Sequence, residues 1–143
     1  MINSILLIDD EFLFHLVFED ACSLLDVTFS LETLLSADEA EDLFRDWQRE
    51  PGSKPEVVFA DLNIIGSSID GIDLVDRINH VYGNGVVIGI ISSSCDQLEI
   101  DRAMKAGAQF WMVKSDEIEP RLEEFKKDYP RYKDGTGVFK VYK

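Results

Sequence analysis

What most constrains this chain is its alternation of short apolar runs with longer stretches whose apolar residues recur at helical spacing. Ile5 to Ile8 has the size of a buried strand. Residues 12–25 follow with Phe12, Leu13, Leu16, Val17, Ala21, Leu24 and Leu25 on a helical stripe. Val27 to Leu35 places Val27, Phe29 and Leu31 at period two, the spacing of a strand. Ser36 or Asp38 then caps a helix through Trp47, with Ala40, Leu43, Phe44 and Trp47 at helical spacing. Pro51, Gly52 and Pro55 mark a loop, and Val57 to Ala60 is a strand ending at Asp61. After the loop Gly66-Ser67-Ser68, the residues Ile72, Leu74, Val75 and Ile78 form a third helix, stopped by Gly83-Asn84-Gly85. Val86 to Ile91 is the most apolar and β-branched run and reads as a central strand. Asp96 to Ala106 is a fourth helix closed by Gly107, Phe110 to Val113 a fifth strand, and 117–128 a fifth, charged helix.

Strands alternating with helices of about 10–15 residues imply a parallel sheet covered on both faces, a three-layer α/β fold of doubly wound (βα)5 type. The length of 143 residues suits one domain and would be cramped for two. Acidic residues outnumber basic ones 28 to 14, and a net charge of −14 repels nucleic-acid phosphates and anionic lipid headgroups. Nucleic acid and membrane surfaces are thereby excluded as bulk partners, while a cation or a basic partner is permitted. No apolar run approaches the roughly 18 residues of a transmembrane helix, and the start lacks the basic region of a signal peptide. Cys22 and Cys95 make neither a disulfide framework nor a zinc site, so reduced thiols in a cytoplasmic protein are expected. His15 and His80 have no metal-ligand partner at useful spacing and read as structural.

Ligands of such sheets bind beyond the carboxyl ends of the strands, at a topological switch point. Strand one ends in Asp9-Asp10-Glu11, strand three in Asp61, strand four in Ser92-Ser93-Ser94 and strand five in Lys114. Carboxylates gathered at one edge repel and raise one another's pKa values, which a hard divalent cation such as Mg²⁺ relieves. An aspartate can attack phosphorus to give an acyl phosphate. A metal ion, a lysine ammonium and a serine hydroxyl can then cancel charge on the phosphoryl oxygens.

In these residues and their order, nearly the whole chain resembles the receiver domain of two-component response regulators, of the chemotaxis-regulator type. The family's acidic pair falls on Asp9 and Asp10, its phosphoacceptor on Asp61, its hydroxyl switch residue on Ser92 and its lysine on Lys114. Its aromatic switch position falls on Trp111, and its Asp-Gly opening of the third helix on Asp70-Gly71. The resemblance implies a flavodoxin-like strand order 2-1-3-4-5, with the receiver over 1–128 and a tail over 129–143. It implies that Asp61 takes a phosphoryl group from a phosphohistidine on a sensor histidine kinase or histidine phosphotransfer protein. Mg²⁺ would be held by Asp9, Asp10, Asp61 and the backbone carbonyl of Asn63. Ser92 and Lys114 would contact the phosphoryl oxygens. Trp111 would then move inward, repacking the face of the fourth helix, fifth strand and fifth helix for a downstream protein target. On this reading the chain is a phosphoprotein carrying an aspartyl phosphate. It is not an enzyme on external substrates, since it catalyses only its own phosphorylation and dephosphorylation.

The chain also departs from the family pattern. Ile64-Ile65 stands where Met-Pro is usual, and Gly66-Ser67-Ser68 lengthens the loop before Asp70. Ser115 replaces the usual cis proline after the lysine, so either a trans bond with a shifted loop or a strained cis bond is expected. Trp111 is larger than the usual Tyr or Phe, which suggests a ring biased outward. These departures keep open a receiver-fold interaction module that does not depend on phosphate. A small Mg²⁺-dependent phosphatase fits less well, because Asn63 stands where such enzymes carry a second acid. Residues 120–143 hold seven of the 14 basic residues and four of the 28 acidic ones. This tail reads either as a solvated extension of the fifth helix or as a strand, Val138 to Tyr142, added to a sheet edge in its own chain or a partner. A dimer could form through it or through the face of the fourth helix, fifth strand and fifth helix.

Overall fold

The computed structural model describes residues 2–25, 30–34, 36–64, 69–80 and 85–143. Val27 and Phe29, the segment Ile65 to Ser68 and the Gly83-Asn84 helix stop lie outside the described residues. The elements alternate as read: β1 (Ser4–Ile8), α1 (Phe12–Leu24), β2 (Ser30–Leu34), α2 (Ala37–Arg49), β3 (Val57–Asp61), α3 (Gly71–His80), β4 (Val87–Ser92), α4 (Gln97–Ala106) and β5 (Phe110–Val113). They are followed by α5 (Glu119–Asp134) and a short β6 (Lys140–Tyr142). All strands are parallel, in the order β2-β1-β3-β4-β5-β6. Between β1 and β3 the order reverses direction, and this is where the loops after the strands leave a crevice.

The apolar runs are uninterrupted because both faces of the sheet are covered. Every residue of β3 and β4 is buried. Successive side chains point to opposite faces. Leu6, Ile8, Val58, Ile88 and Ile90 thus meet Phe44, Trp47, Leu74 and Ile100 of α2, α3 and α4. Ile5, Leu7, Phe59, Ile91 and Phe110 meet Phe18, Leu122 and Phe125 of α1 and α5. On the second face Phe59, Phe110 and Phe125 form a triangle of aromatic rings, with centroids 4.6–5.4 Å apart.

Helix ends follow local chemistry. Ser36 Oγ accepts from Glu39 N at 3.2 Å, and Asp96 Oδ1 accepts from Leu98 N at 2.8 Å. Gly107 closes α4 with φ 105°, the left-handed conformation that glycine adopts without strain. Asp96→Ala is expected to lower stability by about 1 kcal/mol in urea denaturation, and an unchanged midpoint would contradict the cap's role.

Beyond residue 128 the structure contains both alternatives expected of the tail, a continuation of the fifth helix and a strand added to the chain's own sheet edge. α5 continues beyond 128 to Asp134, through Pro130. An interior proline costs a helix about 3 kcal/mol, so packing must outweigh it. Tyr129 and Tyr132, on either side of Pro130, are buried against the aromatic face and supply that packing. The sheet also has a sixth strand, β6, parallel to β5, with Phe110, Trp111 and Met112 opposite Lys140, Val141 and Tyr142.

Candidate functional site

The topology brings the strand-end residues to one edge of the sheet. β1 runs directly into Asp9 and Asp10, and β3 ends on Asp61. Asp61 is the register partner of Ile91, so Ser92 stands one residue beyond it. Ser92 in turn pairs with Val113, which places Lys114 just past β5. Asp9 is 0% exposed, Asp61 7% and Ser92 3%, whereas Asn63 is exposed. Gly71, at the start of α3, donates its N–H to the Leu62 carbonyl at 3.0 Å. A Cβ on Gly71 would lie 2.1 Å from the Asp61 carbonyl oxygen, so only glycine lets the helix rest against this strand end.

One carboxylate oxygen from each of Asp9, Asp10 and Asp61 lies within 4.8 Å of the others. The Lys114 ammonium enters this cluster, 2.6 Å from Asp9 Oδ2, 3.3 Å from Asp61 Oδ1 and 3.6 Å from Glu11 Oε2. Its other side faces the Phe14 ring at 4.8 Å from the centroid, a cation–π contact. Asp9 is held further by two contacts. Its Oδ1 accepts from Glu11 N at 2.8 Å, and its carbonyl accepts from His15 Nε2 at 2.5 Å.

Burial, and then the charge of Asp9, push the Asp61 carboxyl up to about 7, although Lys114 pulls the other way. Burial works against the Lys114 charge, but Asp9 and Asp61 overcome it and hold the ammonium above its ordinary pKa. One cation among these carboxylates leaves an excess of negative charge. The donors are all oxygen atoms, the set a hard divalent cation takes, so these residues fit Mg²⁺. Adding Mg²⁺ is therefore expected to raise the thermal midpoint, and more at pH 8 than at pH 5.5. Below about 7 the cation must displace a proton from Asp61. An equal shift at both pH values would contradict a ligand role for Asp61.

The Ser92 hydroxyl turns toward its own loop. It lies 3.3 Å from Ser94 Oγ and accepts from Ser94 N at 3.2 Å, while the Ser92 carbonyl accepts from Lys114 N at 2.8 Å. Trp111 corrects an expectation: rather than turning outward, the ring is 0% exposed. Its indole Nε1 donates to the Ser94 carbonyl at 3.0 Å, a bond no phenylalanine could make. The Lys114–Ser115 bond is trans, with Lys114 still directed into the cluster. Ser115 Oγ instead accepts from Glu117 N at 3.0 Å and turns the chain toward α5.

Phe14 and His15 were not singled out as site residues from the sequence. Their signal was present: three and four residues past Glu11, on the first turn of α1, they face back toward the strand ends. Among the described residues, no helix is long and apolar enough to cross a membrane.

No protein-family model matches the chain, and no curated protein matches it. Solved structures do. A two-component response regulator from Cytophaga hutchinsonii aligns with a TM-score of 0.78 at 19% identity, covering 91% of this chain and 98% of that one. A response regulator receiver domain from Rhodospirillum rubrum aligns at 0.72 and 20% identity, covering 87% and 93%. A response regulator from Burkholderia pseudomallei, solved with a phosphorylated aspartic acid, calcium ion and citrate, aligns at 0.70 and 17% identity, covering 93% and 72%. The chain has the fold of response regulator receiver domains.

Proposed function

We propose that this protein is a phosphoacceptor domain of two-component signal transduction, with Asp61 as the residue phosphorylated. The observation that carries the reading is the position of Asp61. It is a buried carboxylate at the end of β3, within reach of the Lys114 ammonium and clustered with two further carboxylates. The likeness to a Burkholderia response regulator with a phosphorylated aspartic acid and a calcium ion supports it.

The donor would be a phosphohistidine on a sensor histidine kinase or phosphotransfer protein. The Asp61 carboxylate oxygen attacks phosphorus while the bond from phosphorus to the imidazole nitrogen breaks. Lys114 leaves Asp61 for a phosphoryl oxygen while remaining paired to Asp9. Ser92 turns its hydroxyl from Ser94 to a second phosphoryl oxygen. Asp9, Asp10, Asp61 and the Asn63 backbone carbonyl would hold Mg²⁺, which when bound neutralises charge between the carboxylates and the incoming phosphoryl group. The product would be read by a downstream protein target. Such a protein would work in the cytoplasm and act on no external substrate.

The test is incubation with acetyl phosphate and Mg²⁺, followed by intact mass measurement. One phosphoryl group, absent when EDTA is added and released by hydroxylamine, is expected. An unchanged mass under conditions that label a known response regulator would overturn the reading and leave a binding module that works without phosphate.

A further inference from the structure

Without β6, β5 would be the outer strand of the sheet and would present its unpaired backbone groups. β6 covers that edge with only three residues. Val141 lies opposite Trp111 in the parallel register, and residues aligned in this way share a face of the sheet. Val141 and Phe139 both pack against the cluster that contains Trp111. Lys140 and Tyr142 point to the other face. There the Tyr142 hydroxyl donates to Asp128 Oδ2 at 2.8 Å and lies 2.9 Å from the Tyr132 hydroxyl, while Lys140 pairs with Asp128 at 3.0 Å and with Glu124. Burial keeps the Tyr142 hydroxyl protonated far above its ordinary range, so it remains a donor.

The segment leading into β6 folds back on α5, where the Thr136 and Gly137 N–H groups both donate to the Arg131 carbonyl, at 3.0 and 2.8 Å. α5 ends on Gly135 in the left-handed conformation at φ 84°, Val138 is 82% exposed, and a cleft of about 410 Å³ lies between this segment and α5. The strand is thus gripped on the face of Lys140 and Tyr142, while Val138 just before it stands in solvent.

We propose that β6 is a positioning strand for Trp111: Val141 and Phe139 close the outer wall of the indole's seat, and this holds the indole N–H on the Ser94 carbonyl. Ser94 is the partner of Ser92, whose carbonyl accepts the Lys114 N–H. A contiguous chain of contacts therefore runs from the C-terminal strand to the acidic cluster. The chain's own tail fills the β5 edge. Anything that lifts it off frees that edge, Trp111 and the Ser92–Ser94 loop together. The consequence for Asp61 rests on the phosphoacceptor reading, but the seating of Trp111 does not.

The experiment uses the full chain with Trp47→Phe, so that Trp111 alone reports. Val141→Ser is expected to red-shift the emission and raise the acrylamide quenching constant at least about threefold, with Val141→Ile restoring the parent values. Tyr142→Phe, which removes one hydroxyl from the grip and keeps the ring, is expected to move both readouts in the same direction by less. Should Val141→Ser fail to fold, Tyr142→Phe decides alone. Unchanged quenching in the folded variants, with β6 amides losing hydrogen-exchange protection, would overturn the proposal, because β6 would then be a cover only. A second arm measures phosphorylation from acetyl phosphate. A several-fold slower rate in Val141→Ser supports the link to the site, and an equal rate with Trp111 released overturns that link. A parent protein that takes no phosphoryl group would sink the phosphoacceptor reading and leave the quenching result standing.

Discussion

Asp61→Asn is expected to unfold at a higher urea midpoint than the wild type at pH 8, and to take up no phosphoryl group from acetyl phosphate. Asp61 titrates near 7 in the folded protein, against 3.8 for an unperturbed aspartate, because burial and Asp9 disfavour its charge. Between those values the folded chain keeps a proton that the unfolded chain has released. Stability therefore falls as pH rises through this window, and above about 7 the whole penalty is present. A unit of pKa is worth about 1.4 kcal/mol. With screening by water at the pocket mouth, the gain in Asp61→Asn should be about 2 kcal/mol. Lys114 retains its 2.6 Å contact to Asp9, so the variant does not strand the ammonium. The difference between variant and wild type should shrink toward pH 4. A variant less stable than the wild type at pH 8, or a difference independent of pH, would contradict this electrostatic picture.

Lys114→Met should have the opposite effect and a larger one. Asp9 is fully buried, and its Oδ2 has the Lys114 ammonium as its close partner. Removing one member of a buried pair leaves the other charge uncompensated, at a cost of about 3–5 kcal/mol. The Asp61 carboxyl should rise further still, since Lys114 is the group that pulls it down. Adding Asp9→Asn to Lys114→Met should recover much of the loss, a non-additivity expected only of groups in contact. Mg²⁺ should recover part of it as well. A loss below about 1 kcal/mol for Lys114→Met would show that solvent, rather than the ammonium, compensates Asp9.

The strands that position the site could be read from sequence because each is an apolar run closed by a polar residue. Ile5–Ile8 stops at Asp9, and Val57–Ala60 stops at Asp61. In a parallel sheet those stops must share an edge, so the carboxylate cluster followed from strand direction alone. Contacts set by tertiary packing were not legible. The outward bias expected of Trp111 considered only ring size. The buried position depends on a backbone carbonyl, Ser94 O, in a loop 17 residues away. How far α5 runs past residue 128 is not legible locally, because Pro130 is a strong local stop and the burial of Tyr129 and Tyr132 that overrides it is invisible to spacing. The alternation at Val138 to Tyr142 showed that a strand was available, but no local signal named β5 as its partner. His15 looked structural, and it does hold backbone, but the carbonyl it holds belongs to Asp9.

The central claim is that Asp61 itself carries the phosphoryl group, and the most direct measurement is chemical. After reaction with acetyl phosphate and Mg²⁺, borohydride reduces an acyl phosphate to an alcohol and converts the modified aspartate to homoserine. Peptide mass spectrometry should then find homoserine at position 61, and none in Asp61→Asn. Homoserine at position 9 or 10, or at no position, would contradict it.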